Sequence, residues 1–300
     1  MSTRSLSTRR GTIRFPAYVP VTTFGEKYPL DKLIQPYLPR LADAVMVSYH
    51  YARQMQTPPR LPLMLDSGGF VSLFANSRVK RIGKLGVVEI DTGEQIETLT
   101  PADVLDLQER VADVAFTLDF PIPPDTDKRE AKKRFDLTIR NAHWALENRR
   151  RRDLPLYACV QAWDAQSATD CARTYAQSSF DGIAIGGLVP RAKDRKLVLE
   201  IVAAVRAEIG ERPLHVFGIG HPNLVADLYR TGVDSVDSSG YVKLAADGRL
   251  WSGSSPGEAD PSMTDRLHMA LSNLATASGR TLPLSAHRLT FRTFGMGQSG

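Results

Sequence analysis

Leu63-Met64-Leu65-Asp66-Ser67-Gly68-Gly69-Phe70 runs an apolar segment into one carboxylate, a serine, two glycines and an aromatic ring. An apolar run of this length that ends in turn residues reads as a buried strand with a tight loop at its C-terminal tip. Glycines let backbone approach a ligand where a Cβ would stand in the way. Asp66 then lies at the mouth of the loop beside an aromatic face, which suits acid or base chemistry next to a stacking platform. An ordinary β-turn with Asp66 capping the next helix would use the same residues. The surrounding chain decides between the two.

Outward from this stretch, strand and helix patterns alternate. Ala44–Tyr51 reads as a buried strand. Val114–Phe120 is a strand closed by Pro121, Pro123 and Pro124. Leu156–Trp163, Gly182–Leu188, Leu214–Gly220 and Ser235–Tyr241 follow as strands. Helical stretches separate them: Leu30–Leu41, Thr100 to about Ala112, Asp125 to about Arg152, Ala168–Ser178, Leu197–Ile209 and Pro222–Thr231. Thr100-Pro101-Ala102-Asp103 reads as an N-cap, a proline at N1 and a capping-box acid at N3. Gly11–Thr23, interrupted by Pro16 and Pro20, reads as short edge strands. Arg78–Glu97 reads as an inserted hairpin.

Repeated βα units build a parallel sheet. About eight of them in 300 residues favour a closed (β/α)₈ TIM-type barrel of the α/β class, which takes about 250 residues. The expectation is one domain over 1–300 with its core at about 11–277. It carries the inserted hairpin, a C-terminal helical extension near Met263–Ala277 and a basic-aromatic tail over 278–300. In such a barrel the strand C-termini form the active face. Asp66, Asp119, Gln161, Gly186, Gly187, Gly218 and Asp237 stand at those positions. Each has a plainer role when taken singly: Asp237 as a turn residue, Asp119 as a cap before proline, Gln161 as a core amide.

Composition excludes several classes. Hydrophobic residues make up 42% and charged residues 24%, which is ordinary for a chain with a full core. Two cysteines, Cys159 and Cys171, cannot build a disulfide framework or a four-cysteine metal site, and they fit a reducing, cytoplasmic compartment. The first ten residues lack the apolar segment of a secretory signal. No apolar run approaches the ~20 residues of a membrane span. The net charge is +5, concentrated in three clusters: Arg4, Arg9 and Arg10; Lys128, Arg129, Lys132, Lys133 and Arg134; and Arg149 to Arg152. Such clusters are either solvated helix faces or a phosphate-binding surface.

The order of motifs resembles the tRNA-guanine transglycosylase family, also described as queuine or archaeosine tRNA-ribosyltransferases. Gly11-Thr12-Ile13-Arg14-Phe15-Pro16-Ala17-Tyr18-Val19-Pro20-Val21 is similar to the family's opening GT-x-x-TPAFMPV. Ser48-Tyr49-His50 resembles NTYH, and Asp66-Ser67-Gly68-Gly69-Phe70 matches DSGGF. Leu118 to Pro124 resembles LDIPTPP, and Ala184 to Leu188 matches AIGGL. Val236 to Tyr241 with Asp247-Gly248-Arg249 resembles FDSASY…DGR.

This resemblance implies base exchange. A carboxylate attacks C1′ of a nucleotide, guanine leaves, and a 7-deazaguanine such as 7-cyano-7-deazaguanine takes its place. Carried over position by position, Asp237 would be the nucleophile and Asp66 the general acid/base. Asp119 would hold the donor edge of guanine, and Ser67 of the DSGGF motif would also contact the substrate. Gln161 and the backbone of Gly187 and Leu188 would read O6 and its neighbours. Phe70 would stack on one face of the base and Phe217, where the family carries methionine, on the other. No cofactor is implied. A carboxylate nucleophile and a second carboxylate for proton transfer suit a glycosidic carbon with oxocarbenium character.

The departures bear on the substrate. The family carries a structural zinc on Cys-x-Cys-x-x-Cys and the histidine of an HNL triplet. Here no cysteine follows Cys171, and Ser272-Asn273-Leu274 stands in the triplet's place. Val71 replaces the glutamine after DSGGF. In the family the zinc element helps to grip tRNA, so its loss favours the relatives that insert a 7-deazaguanine into DNA. The expectation is therefore base exchange on DNA, with tRNA or a non-catalytic nucleic-acid-binding barrel as alternatives. An accessory protein is a further possible partner.

Overall fold

The computed structural model describes residues 4–25, 28–253 and 260–282. Most of the expected tail over 278–300 lies outside these residues. In chain order the strands are β1 (Ser5–Thr8), β2 (Gly11–Arg14), β3 (Ala17–Pro20), β4 (Val45–Ser48), β5 (Leu63–Asp66), β6 (Ser77–Ile82) and β7 (Leu85–Asp91). They continue with β8 (Ile96–Leu99), β9 (Val114–Phe116), β10 (Leu156–Val160), β11 (Gly182–Ile185), β12 (Leu214–Val216) and β13 (Ser235–Ser238).

Eight of them, β3, β4, β5, β9, β10, β11, β12 and β13, form one parallel sheet in chain order around a ring. The last pairs with the first, from Ser235 opposite Ala17 to Ser238 opposite Pro20. A parallel bridge between Val21 and Met46 joins β3 to β4 and closes the barrel. The (β/α)₈ reading holds.

Two cores follow from the alternation of side chains along each strand. The inner one fills the barrel with Ala17, Val19, Met46, Met64, Phe116, Tyr157, Cys159 and Ala184. Ile13 and Phe15 from the hairpin of β1 and β2 join it from below. The outer one packs the other face of the strands against the helices, as the apolar runs of a two-sided parallel sheet require. Helices begin at the mouth, and four have side-chain caps there: Thr100 with Asp103 in a capping box, Asp127, Asp164 and Asp194.

Several local expectations change. Ala17–Pro20 is a fully buried barrel strand, not an edge; the prolines stand before it and at its last position. The helix expected over Leu30–Leu41 divides into Pro29–Ile34, a 3₁₀ turn Gln35–Tyr37 and Leu38–Leu41. Pro36 and Pro39 cannot donate the bonds that would join these pieces. The inserted hairpin has a third strand, so β6, β7 and β8 make an antiparallel sheet. It packs Val79, Val88 and Leu99 on Leu118, Phe120 and Leu137. Asn141 pins it: its side chain accepts the Gly86 N–H at 2.9 Å and donates to the Gly86 and Leu118 carbonyls. The long basic helix spans Lys128–Asn148, shorter than expected, because Arg149 turns extended. The C-terminal helix spans Met263–Ser278.

The closed end of the barrel carries a repeated polar device. Asp113, Asp181 and Asp234 each stand one residue before a strand. Each accepts the N–H of the first residue of the neighbouring strand: Leu63 at 2.9 Å, Leu156 at 3.0 Å and Leu214 at 2.8 Å. Each also holds arginine: Arg10 on Asp113, Arg149 on Asp181, and Arg206 with Arg4 on Asp234.

Candidate active site

The strand tips bring the expected residues to one mouth. Asp66 ends β5, Asp237 lies in β13, Gln161 and Gly186 follow β10 and β11 directly, and Asp119 comes three residues after the end of β9. In the ring, β5 and β12 stand four places apart, so Phe70 and Phe217 follow opposite walls. Phe70 is 59% exposed on the rim, on the 3₁₀ turn Gly69–Leu73 and edge-on to Phe74 at 5.8 Å. Phe217 is half-buried and packs on Phe116 and His215, with ring centroids 4.9 and 4.8 Å away.

The DSGGF loop is built against Asp119. Ser67, fully buried, donates its hydroxyl to Asp119 Oδ1 at 2.9 Å and accepts the Gly69 N–H at 3.2 Å. Gly68 takes φ +79°, and a Cβ on Gly69 would lie 1.9 Å from the Asp119 carbonyl oxygen. The two glycines therefore serve a close backbone approach that no other residue permits.

The Gly186-Gly187 pair has a related task. A Cβ on Gly186 would lie 2.2 Å from Gln161 Nε2, and one on Gly187 2.6 Å from Gln161 Oε1. The pair makes room for the Gln161 amide, whose Nε2 donates to Asp119 Oδ2. Gln161 Oε1 is buried without a partner among the described residues. A buried, unpaired acceptor is costly unless a ligand meets it. The Leu188 side chain is fully buried, so only its backbone can serve the mouth. Buried Arg191 donates to the carbonyls of Gly187 and Ile122, both at 2.8 Å, and ties two mouth loops together.

Asp237 is held by different donors. Its Oδ1 accepts the Gly218 N–H at 3.1 Å and stands 3.0 Å from His215 Nε2. His215 is fully buried, and its Nδ1 lies 2.8 Å from Ser235 Oγ.

The carboxylates are electrostatically distinct. Burial, and then the charges of Asp119 and Asp237, push the Asp66 carboxyl up to about 7, against the N–H groups of Gly68 and Ser67. Burial also raises Asp119, opposed by the hydrogen bonds of Gln161 and Ser67. No lysine or arginine among the described residues pairs with any of the three. The mouth thus holds a carboxyl that carries or releases a proton near neutrality, beside a carboxylate fixed by N–H donors.

The family model described as Queuine tRNA-ribosyltransferase matches residues 3–277. The chain belongs to this family. Among its relatives are three tRNA-guanine(15) transglycosylases. That of Thermococcus onnurineus is 30% identical over 175 residues, covering 55% of this chain and 30% of the relative. That of Methanothermobacter thermautotrophicus is 27% identical over 265 residues, covering 82% and 37%. That of Pyrococcus abyssi is 31% identical over 184 residues, covering 57% and 30%. The chain spans about a third of the length of these relatives.

The family's zinc does not fit the residues of this chain. Cys159 and Cys171, its two cysteines, are buried within the barrel wall and a helix. Among the described residues no three His, Cys, Asp or Glu side chains gather as ligands. Ser272 stands where the histidine of the HNL triplet would be, and the buried Asn273 beside it makes hydrogen bonds within the chain. It donates to the carbonyls of Tyr241 and Arg249 and accepts the Trp251 N–H at 2.9 Å. These bonds staple the C-terminal helix to the segment that follows β13.

The three basic clusters separate. Arg4 and Arg10 belong to the closed end, as above. Arg149 pairs with Asp181, Arg150 with Glu109 and Asp106, and Arg151 with Asp153. The Lys128–Arg134 cluster begins a helix at the mouth. There Arg134 and Lys133 hold Glu130, while Lys128 and Arg129 are exposed and without ion-pair partners among the described residues.

His215, Ser235 and Arg191 have no functional part in the sequence reading; Gly218 stands in it as a glycine of the mouth, without its N–H bond to Asp237. One signal was present for the first two. His215 and Phe217, like Ser235 and Asp237, are two apart on strands and so share the inward face. A histidine opposite a serine in the β12–β13 register, at the strand beside the candidate nucleophile, was open to that reading.

Proposed function

We propose that this chain exchanges guanine in a polynucleotide for a 7-deazaguanine base. Asp237 attacks C1′ and the guanine leaves with a proton from Asp66. The incoming base then displaces the Asp237 ester as Asp66 takes a proton back. Asp119, positioned by Ser67 and Gln161, accepts from the donor edge of guanine. Gln161 and the Gly187–Leu188 backbone meet the other edge. Phe70 and Phe217 cover the two faces.

The observation that carries this reading is the pair of carboxylates with separated tasks. Asp66 sits near 7 through burial beside Asp119 and Asp237, while Asp237 is held by the Gly218 N–H and His215. Retaining glycosyl transfer needs one proton donor and one charged nucleophile. A base must leave the stack to reach such a mouth, which suits single-stranded or flipped substrate.

For the polynucleotide we favour DNA, because the zinc ligands that support tRNA grip in the family have no counterpart here. The names of the relatives favour tRNA as the second reading. The deciding experiment incubates purified protein with 7-cyano-7-deazaguanine and either DNA or tRNA, followed by mass spectrometry of the digested nucleosides. A modified deoxynucleoside with unmodified tRNA supports the DNA reading. Modified tRNA alone replaces it with the second. Neither product, with and without a cell extract to supply an accessory protein, sinks base exchange.

A further inference from the structure

We infer that His215 is a positioning residue for Asp237, and that Asp237 attacks C1′ through Oδ2. The inference rests on the base-exchange reading above and assigns its geometry.

A carboxylate only accepts hydrogen bonds. The 3.0 Å contact between His215 Nε2 and Asp237 Oδ1 therefore requires the proton on Nε2. In the neutral ring, Nδ1 is then an acceptor, and Ser235 Oγ, 2.8 Å away, donates to it. The register supports this relay: His215 of β12 lies opposite Ser235 of β13, and Asp237 follows on the same inward face. The ring cannot swing away, because Phe116 and Phe217 flank it at 5.2 and 4.8 Å and it is fully buried.

Oδ1 thus receives two donors, His215 Nε2–H and Gly218 N–H. Oδ2 receives none among the described residues. The free lone pairs for attack belong to Oδ2. In the first step the Oδ2–C1′ bond forms and the C1′–N9 bond breaks. The electron pair passes to the guanine ring, which takes a proton from Asp66. In the second step N9 of the incoming 7-deazaguanine bonds to C1′, its proton goes to Asp66, and the C1′–Oδ2 pair returns to Asp237. The charge reappears on a carboxylate whose Oδ1 already faces two fixed N–H groups. Fixed donors aimed at developing charge stabilise it without reorganisation. His215 therefore assists chiefly the second step, in which Asp237 is the leaving group.

This gives a signature that mere loss of packing would not produce. In His215→Phe, which keeps a flat ring but removes the donor, turnover should fall by about 100-fold, as when one preorganised donor is removed. The fraction of enzyme held as covalent adduct at steady state should rise above wild type. His215→Gln, which can still present an N–H, should recover at least a tenth of wild-type turnover. A structure of the trapped adduct should show the ester on the oxygen turned away from His215.

Turnover of His215→Phe within threefold of wild type overturns the inference, as does a parallel fall of turnover and adduct in both variants. Nitrogen-edited NMR of the imidazole supplies a check that needs no activity: the proton must be on Nε2 and must shift in Asp237→Asn. A proton confined to Nδ1 overturns the inference while leaving base exchange standing. A wild-type protein that forms no adduct on DNA or tRNA, with and without a cell extract, removes the base-exchange reading itself, and the role of His215 with it.

Discussion

At the closed end of the barrel Asp113, Asp181 and Asp234 accept strand N–H groups and hold arginines. At the open end Asp66, Asp119 and Asp237 crowd one mouth, where Ser67, Gln161, His215 and backbone N–H groups stand in place of lysine or arginine. The same residue type sits at both ends of the barrel, and on β9 and β13 at both ends of one strand. At one end its charge is neutralised and spent on register and stability. At the other its charge is left uncompensated, and burial raises the proton affinity of Asp66 to about 7. The difference teaches where this fold places strain: a carboxylate without a cation is a poor structural element and a useful chemical one.

The comparison breaks most sharply at Asp237. Asp237→Asn should lower base exchange by at least ~1,000-fold, as for loss of a covalent nucleophile, and abolish the adduct. Its melting temperature should not fall. A variant that keeps exchange and loses stability would put Asp237 in the class of Asp113.

Asp66 sharpens the same point through pH. Its folded-state proton affinity exceeds the ordinary carboxylate value, so the folded protein binds a proton that the unfolded chain has released. Stability contributed by that proton is present below about pH 4 and is lost as pH rises towards 7. Asp66→Asn should therefore unfold with a weaker pH dependence between about 4 and 7. At pH 8 it should be more stable than wild type by on the order of 2 kcal/mol. The exchange rate of the wild type should decline above pH 7, as the acid form empties. A rate flat from pH 6 to 9 would remove Asp66 from the proton-transfer role.

Asp113→Ala tests the closed end. It leaves the buried Leu63 N–H unpaired and part-buried Arg10 with the Val111 carbonyl but no counter-charge, at a cost of about 3 kcal/mol. Chemical denaturation should show that loss, while exchange measured well below the melting temperature stays within twofold.

The smallest effects concern the basic surface. Lys128→Ala with Arg129→Ala should weaken polynucleotide binding and lower its salt slope by about 2. Arg150→Ala, which removes a charge already held by Glu109 and Asp106, should leave affinity within twofold. Equal effects from the two changes would mean that nucleic acid reaches both ends.

Much of the barrel was legible because parallel strands buried on both faces are continuous apolar runs. Their lengths were less so. Val114–Phe120 reads as one strand, yet the ladder ends at Phe116, where the Thr117 hydroxyl takes over by accepting the Cys159 N–H at 3.0 Å. A side chain that replaces a ladder bond leaves no periodic trace. Asp66, Asp119 and Asp237 could be placed at strand ends from pattern alone. The donors that distinguish them could not, because Ser67 meets Asp119 across 52 residues and His215 meets Asp237 across 22. The arginines of 149–152 show the converse. Their density left a phosphate surface open, but Arg149 and Arg150 are tied to carboxylates from other elements and Arg151 to Asp153 in its own loop.

The hairpin of β1 and β2 has a practical consequence. It stops the closed end of the barrel with Ile13 and Phe15, and Arg4 is anchored there on Asp234. A tether, fluorophore or affinity handle joined ahead of Arg4 would leave from the face opposite the mouth. Protein immobilised through that end would present its carboxylates outward, so binding and turnover could be followed on a surface, one molecule at a time, with the substrate path unobstructed.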